Sequence, residues 1–431
     1  MNDSYDCIVI GGGPAGSTAA ALVAEAGRNT LLLEREKFPR FHVGESLMPE
    51  SYWSFKRLGV LDKLKQGHFQ RKFSVQFASH TGRESQPFYF SERDPRECSE
   101  TWQVLRSELD EMLFKNAAEK GADCHDQTRV LDVLFDGRRA TGVRIETADG
   151  QSRDIAARVV VDATGQQSII ANRMGIRQPN PKLKKAAIWH YYRNARRDSG
   201  RNEGATLVLY TNDKKAWFWY IPLHDNIVSI GVVADAAHLL KGRGTPDEVY
   251  FEEVEKCPAL KARLADAELT SNVRVLREFS YTSSEAAGDG WVLIGDAYVF
   301  LDPIYSSGVF LALKSGEMAG DCIIDALKAN DPSAARLGAW AKPFTDGVYW
   351  MSKLVYAFYN DSFSFGRFIK NYPHHVGNVT DLLVGKVFQP SAADVFKDMD
   401  PWIEQAAATK ANPSEKTGEK PAEKPASAAA S

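Results

Sequence analysis

Three glycines near the start of the chain, Gly11, Gly13 and Gly16, stand in the spacing Gly-x-Gly-x-x-Gly, with Pro14, Ala15 and Ser17 completing the run. Glycines so spaced bind anions with backbone alone. The first permits a tight turn, the second lets main chain approach a pyrophosphate, and the third packs a helix against a strand. Amides at the helix start then face the phosphates with the positive end of the helix dipole. Glu34, closing the next apolar run, is placed to accept a hydrogen bond from a ribose hydroxyl. A second pattern is Trp217-Phe218-Trp219-Tyr220-Ile221-Pro222. Side chains alternate along a strand, so Trp217 and Trp219 share a face, as the wall of a site or as the core of a half-buried sheet. Near Ser307 and Gly308 a helix opens, and amides at such a start can hold a small anion or simply be capped. Lys72 heads an alternating stretch. Buried, its amine would have a lowered pKa and nucleophilic character; at a solvated strand end it would have neither.

These groups need elements to hold them. Residues 6–10 and 30–34 read as buried strands around a small-residue helix over 14–26, with Gly27 at its C-terminal turn, giving β-α-β. An amphipathic helix is predicted over 106–120, with Leu105, Leu109, Met112, Leu113 and Ala117 on one face. Residues 158–162 form another buried strand, leading into Ala163-Thr164-Gly165, and 291–296 return to the same sheet. Residues 72–90 and 205–234, rich in aromatic and β-branched types with period two, read as a second, largely antiparallel sheet. The predicted fold class is therefore α/β: a Rossmann-type domain (1–70, 100–180 and 270–328) with an inserted β-sheet substrate domain (71–99 and 181–269). A helical region follows over 329–411. The Pro-, Ala-, Lys- and Glu-rich tail 412–431 is expected to be disordered.

Composition narrows the partners. A net charge of −3 gives no electrostatic case for nucleic acid. The five cysteines lie far apart without a Cys-x-x-Cys, which argues against thiolate metal ligation and a disulfide framework; no metal is expected, and a reducing cytoplasm is. Neither a signal peptide nor an integral membrane segment is predicted. The basic stretch 182–201, with Lys184, Lys185, Arg193, Arg196 and Arg197, reads as a solvated loop or as a dock for an acidic carrier protein. The aromatic series from Tyr349 to Phe368 reads as helical core or as a cavity lid.

Further segments carry a family resemblance. Leu105-Arg106-x-x-Leu109-Asp110, Asp162-Ala163-Thr164-Gly165 and Gly295-Asp296-Ala297 are similar to three signatures of the flavin monooxygenase and halogenase superfamily. The resemblance implies FAD, with Arg106 supporting the cofactor and Asp296 beside its ribityl-pyrophosphate region. Over most of residues 5–390 the chain resembles the flavin-dependent halogenases, especially the shorter members acting on phenols and pyrroles. Loop 38–49, with Arg40, Glu45 and Ser46, is similar to that family's flavin-covering loop, and segment 71–77 to the stretch keeping its lysine. Segment 217–222 is similar to its Trp-x-Trp-x-Ile-Pro strand, and 302–309, ending at Val309, to its halide loop.

The resemblance implies that reduced FAD, oxygen and chloride or bromide are consumed to form hypohalous acid. Ser307 and Gly308 would hold halide through their amides. Lys72 would deliver the halogen from a dry channel that opens at the isoalloxazine, and Trp217 and Trp219 would wall flavin from substrate. With one nucleotide turn only, the reduced flavin would come from a separate flavin reductase. The substrate implied is an electron-rich aromatic small molecule, free or tethered to a carrier protein. Tyr305-Ser306-Ser307 stands where tryptophan-specific members place a glutamate before the halide-loop serine, which speaks against tryptophan. Rival readings are a hydroxylating monooxygenase, a prenyl-chain reductase, against which Gly44-Glu45-Ser46 argues, and a flavin-bound sensor without turnover.

Overall fold

The computed structural model describes residues 1–277 and 279–411. The tail 412–431, expected to be disordered, lies outside them. The strand Ser4–Ile10 forms the centre of a parallel sheet, flanked by Ser152–Asp162 on one side and Thr30–Leu33 on the other. Trp291–Leu293 and Asp123–His125 extend it outward. The runs Cys7–Val9 and Val159–Val161 are fully buried, as expected of strands covered on both faces. An antiparallel hairpin, Arg129–Asp136 with Arg139–Glu146, joins the start of Ser152–Asp162.

The helix Pro14–Glu25 follows the first strand, and the long helix Ser307–Lys328 packs along it. Small residues let the two axes close: a Cβ on Gly316 would lie 2.6 Å from the Ala15 carbonyl oxygen. This contact fixes the pyrophosphate-facing helix start relative to the Ser307–Lys328 helix start.

The second sheet is antiparallel except where Thr206–Tyr210 runs parallel to Ser74–Ala78. Its central strands are Lys185–Arg193, Ile227–Asp235, Ala216–Pro222 and Thr206–Tyr210. Period-two alternation divides its faces. Phe218 and Tyr220 join a core with Tyr250 and Leu260, under the helices Pro246–Glu255 and Pro258–Arg263. Trp217, Trp219 and Ile221 face the other way, into the core shared with the parallel sheet. The C-terminal region is helical, including Ala341–Phe358 and Val376–Val384.

Two expectations require correction. Lys72 does not head the alternating strand; it closes a three-residue strand, Gln70–Lys72, paired with Thr101–Gln103 outside the large sheet. The basic stretch is a loop only in part: Lys185–Arg193 is a strand of the second sheet with all but Arg193 buried, while Lys184 and Arg196 lie outside it and are exposed. Lys185 pairs with Asp235 at 2.7 Å. Arg197 donates to the Leu223 carbonyl and Gln70. Two of its five named cations are thus used inside the fold, and Lys184, Arg193 and Arg196 remain exposed. Among the described residues no helix is long and apolar enough to cross a membrane.

Candidate active site

A cavity of about 590 Å³ runs between the two sheets. One end is lined by Gly11, Gly13, Pro14, Ala15, Glu34 and Arg40, the other by Trp217, Trp219, Asp302, Ser306 and Gly308. The glycine turn meets the requirement for a phosphate cradle by observable geometry. Gly11 has φ +108°, and a Cβ there would sit 2.4 Å from the Ala163 carbonyl oxygen. A Cβ on Gly16 would lie 2.0 Å from the Gly11 oxygen. Gly13 differs, since the nearest atom to its Cβ position is an Arg40 nitrogen at 3.7 Å, leaving that side open to a ligand. Gly13 caps the helix without any side-chain cap bond, so the first amides stay available for an anion. Gly16 and Ser17, expected at the cofactor, sit behind the turn: Ser17 Oγ donates to the Gly12 carbonyl at 3.1 Å, and neither lines the cavity.

Beneath this end lies a buried ion network. Glu34 accepts from the Gly12 amide at 3.0 Å and pairs with Arg40 at 3.2 Å. Arg40 and Arg106 both reach Asp110, each at 2.8 Å. Asp110 is fully buried; burial alone would raise its pKa, but the two guanidinium groups outweigh it and hold the carboxylate low. Arg106 also donates to the Val43 carbonyl at 2.7 Å. It thereby ties loop 38–49 over the cavity. Asp296 lines the wall nearby, and burial pushes its pKa up to about 7 against the pull of Arg106. Val309 lines it too.

At the far end, Trp219 donates from Nε1 to Ser229 Oγ at 3.2 Å. Its ring lies against Gly231 across the ladder, where a Cβ would fall 2.2 Å from the indole. Trp217 donates to the Tyr359 hydroxyl at 3.1 Å, and that hydroxyl donates to Asp302. Burial raises Asp302 to about 7, more than the Ile304 amide and Tyr359 lower it. Glu45 accepts from Tyr191, and burial likewise lifts it to about 7. The helix Ser307–Lys328 begins after Ser306, which has φ +58° and makes no side-chain cap bond. Of the expected halide pair, Gly308 lines the cavity and Ser307 does not; Ser306 does. Ser307 is buried at the first position of the packed helix.

Lys72 is 2% exposed, so the expectation of a buried amine fits the coordinates. Its expected place in a dry channel leading to the cofactor cavity does not. Nζ donates to Ser46 Oγ at 2.8 Å and the Leu47 carbonyl at 3.0 Å, and Lys72 itself does not line the cavity. Ser46 and Thr206 do line it, and their hydroxyls share a hydrogen bond of 2.9 Å. Gln103, also fully buried, donates to Thr206 at 2.8 Å. Thus a hydroxyl pair stands between amine and cavity. Burial lowers the Lys72 pKa to about 7, and among the described residues no carboxylate pairs with it.

Sequence reasoning missed Thr206, Gln103, Tyr191, Ser306 and the role of Tyr359. Tyr359 fell in the aromatic series read as core or lid. No member of that series lines the cavity, although Tyr359 reaches Asp302 from just past the helix Ala341–Phe358.

A glycine cradle, an acid beneath it and a long cavity between two sheets define an FAD-binding oxidoreductase, and the FAD binding domain family model matches residues 4–331. The chain is 30% identical over 434 residues to the 1H-pyrrole-2-carbonyl-[peptidyl-carrier protein] chlorinase of Pseudomonas fluorescens, covering 96% of each. It is 32% identical to the corresponding brominase of Pseudoalteromonas luteoviolacea, covering 79% of this chain and 80% of the relative. The solved flavin-dependent brominase Bmp2 superposes with a TM-score of 0.83 at 29% identity, covering 93% of this chain and 100% of that one. The chain belongs to the flavin-dependent halogenases, within the FAD-dependent monooxygenase superfamily.

Proposed function

We propose that this enzyme chlorinates or brominates an electron-rich aromatic ring of the phenol or pyrrole type, with Lys72 guiding the halogen. Bound FAD, reduced by a separate flavin reductase, supplies with oxygen and halide the hypohalous acid that is used. Gly13 and the first amides of Pro14–Glu25 hold the pyrophosphate, Glu34 receives a ribose hydroxyl, and Arg106 holds the covering loop. The uncapped helix start after Ser306, where Gly308 lines the cavity, receives the halide on its amides without a side-chain proton to lose. Trp217 and Trp219 exclude water and keep the organic substrate off the cofactor. Two relatives whose names specify a pyrrole on a peptidyl-carrier protein favour a carrier-tethered substrate.

The observation that carries this reading is an uncharged-prone amine buried beside the cavity wall without a carboxylate. A lysine near its pKa of about 7 has both forms within reach: the ammonium donates a hydrogen bond to hypohalous acid, and the amine accepts the halogen. The Ser46 hydroxyl, which the amine bonds and which itself lines the cavity, is the contact through which Lys72 acts. The test supplies flavin reductase, NADH, oxygen and bromide or chloride, and offers an activated phenol and a carrier-bound pyrrole. Wild type gives halogenated product by mass spectrometry. Lys72→Ala loses about 100-fold or more while FAD affinity changes little. Oxygenated product without halogen would replace this reading with the hydroxylase.

A further inference from the structure

His68, Glu108 and His224 converge at a point away from the cavity. The Nε2 of His68 lies 2.9 Å from Glu108 Oε2, and the Nε2 of His224 lies 3.2 Å from Glu108 Oε1. One ligand atom from each lies within 4.8 Å of the others. Asp225 Oδ2 is 3.7 Å from the same His224 nitrogen. We propose that these residues form a binding site for a divalent transition-metal ion of the zinc class. Zinc held tetrahedrally at about 2.1 Å sets its donors about 3.4 Å apart. The observed separations bracket that edge, so small side-chain rotations complete the shell. Two imidazoles and a carboxylate are the donor types such an ion takes. Glu108 and Asp225 together carry the two negative charges that offset it.

The two rings are set edge to face, 4.4 Å between centroids. His224 is 7% exposed, so its orientation is held by packing. Among the described residues no hydrogen bond reaches Nδ1 of either ring, so an ion entering here would replace the two Nε2–Glu108 hydrogen bonds, each ring then carrying its proton on Nδ1. Arg197, beside the turn, gives its guanidinium to Leu223 and Gln70. The second histidine cluster differs. His375 is bonded on both ring nitrogens, to Asn378 at Nδ1 and to Asp398 at Nε2.

The three ligands come from the segments that carry the enzyme's motifs. His68 precedes the strand Gln70–Lys72, Glu108 lies in the first turn of the helix that begins at Arg106, and His224 follows the tryptophan strand Ala216–Pro222. An ion there fastens all three together, bridging the parallel-sheet side to the inserted sheet.

The test strips the full-length protein with a chelator and titrates zinc against a chromogenic chelator, with cobalt as a second probe. The background is His374→Ala, which removes the exposed histidine 3.6 Å from Asp398 in the second cluster. Expected are one zinc bound per chain, a visible tetrahedral cobalt band and a raised melting temperature. His224→Ala should weaken zinc by more than the roughly 100-fold that a second-shell change costs. His68→Ala, at an exposed ring, tests the same site without threatening the fold and should also abolish the cobalt band. Absence of zinc uptake at micromolar concentration in the parent, or an unchanged cobalt spectrum in His68→Ala, overturns the site.

Discussion

Lys72 is a buried cation-forming group that the fold leaves without a counter-charge, and this has a measurable consequence. Its folded pKa, lowered to about 7 by burial, lies below the unfolded value of about 10.4. Between those values the unfolded chain binds the extra proton, so this group's contribution is complete above pH 10.4 and is lost as pH falls through about 7. Urea unfolding of apo-protein from pH 7 to 10 should show wild type gaining stability relative to Lys72→Met, by at most about 1.4 kcal/mol per pH unit. Parallel curves would mean that the amine is hydrated. Glu45 and Asp302 run the opposite way. Their folded pKa values, raised to about 7, give stability that is full below the unfolded carboxyl range and lost as pH rises through 7. Glu45→Gln should therefore flatten the stability decline between pH 5 and 8, read by the same urea titrations. The chemistry of Lys72 came from the resemblance, since one lysine beside an alternating stretch has no distinguishing pattern. Its roof of Ser46 and Thr206 was not legible at all, because residues 160 positions apart meet there and nothing local encodes the meeting.

At the scale of elements, strand period carried much of the information and register carried the rest. Alternation placed Trp217 and Trp219 on one face, and the structure puts both on the cavity. It did not show what lies under the indole. That is Gly231, Trp219's partner on the neighbouring strand, and a cross-strand register is fixed by the whole sheet rather than by either segment. Gly231→Ala should force Trp219 out of its position, since the added methyl would overlap the ring. Overpacking of this kind costs about 1–3 kcal/mol, to be seen as a lower urea midpoint together with a shifted tryptophan emission. An unchanged midpoint would show that the ring moves freely. Helix starts were similarly half legible. The glycine spacing gave the first turn and its open middle position, whereas the second helix start follows Ser306 in a left-handed conformation, which serine does not advertise.

Over the whole molecule, the parallel strands all bring their connections to one cavity. The turns after Ile10, after Asp162 and after Leu293 supply Gly11, Thr164 and Asp296 to the same lining. The β-α-β start was readable because its glycines and its acid are local; the way the inserted sheet closes the opposite wall was not, because that sheet draws Ser74–Ala78 and Thr206–Tyr210 together from distant segments. Sharing a single cradle has a consequence for electron supply. Among the described residues no second glycine turn opens a helix beneath a strand of this sheet. The purified protein with FAD, oxygen, bromide and NADH should oxidise NADH no faster than free FAD does, read by nucleotide absorbance. Photoreduced FAD added in place of a reductase should restore halogenation of the activated phenol, with no nicotinamide present. Saturable NADH oxidation by the protein alone would overturn this, and its slowing by added FAD would place the nucleotide in the cofactor cavity.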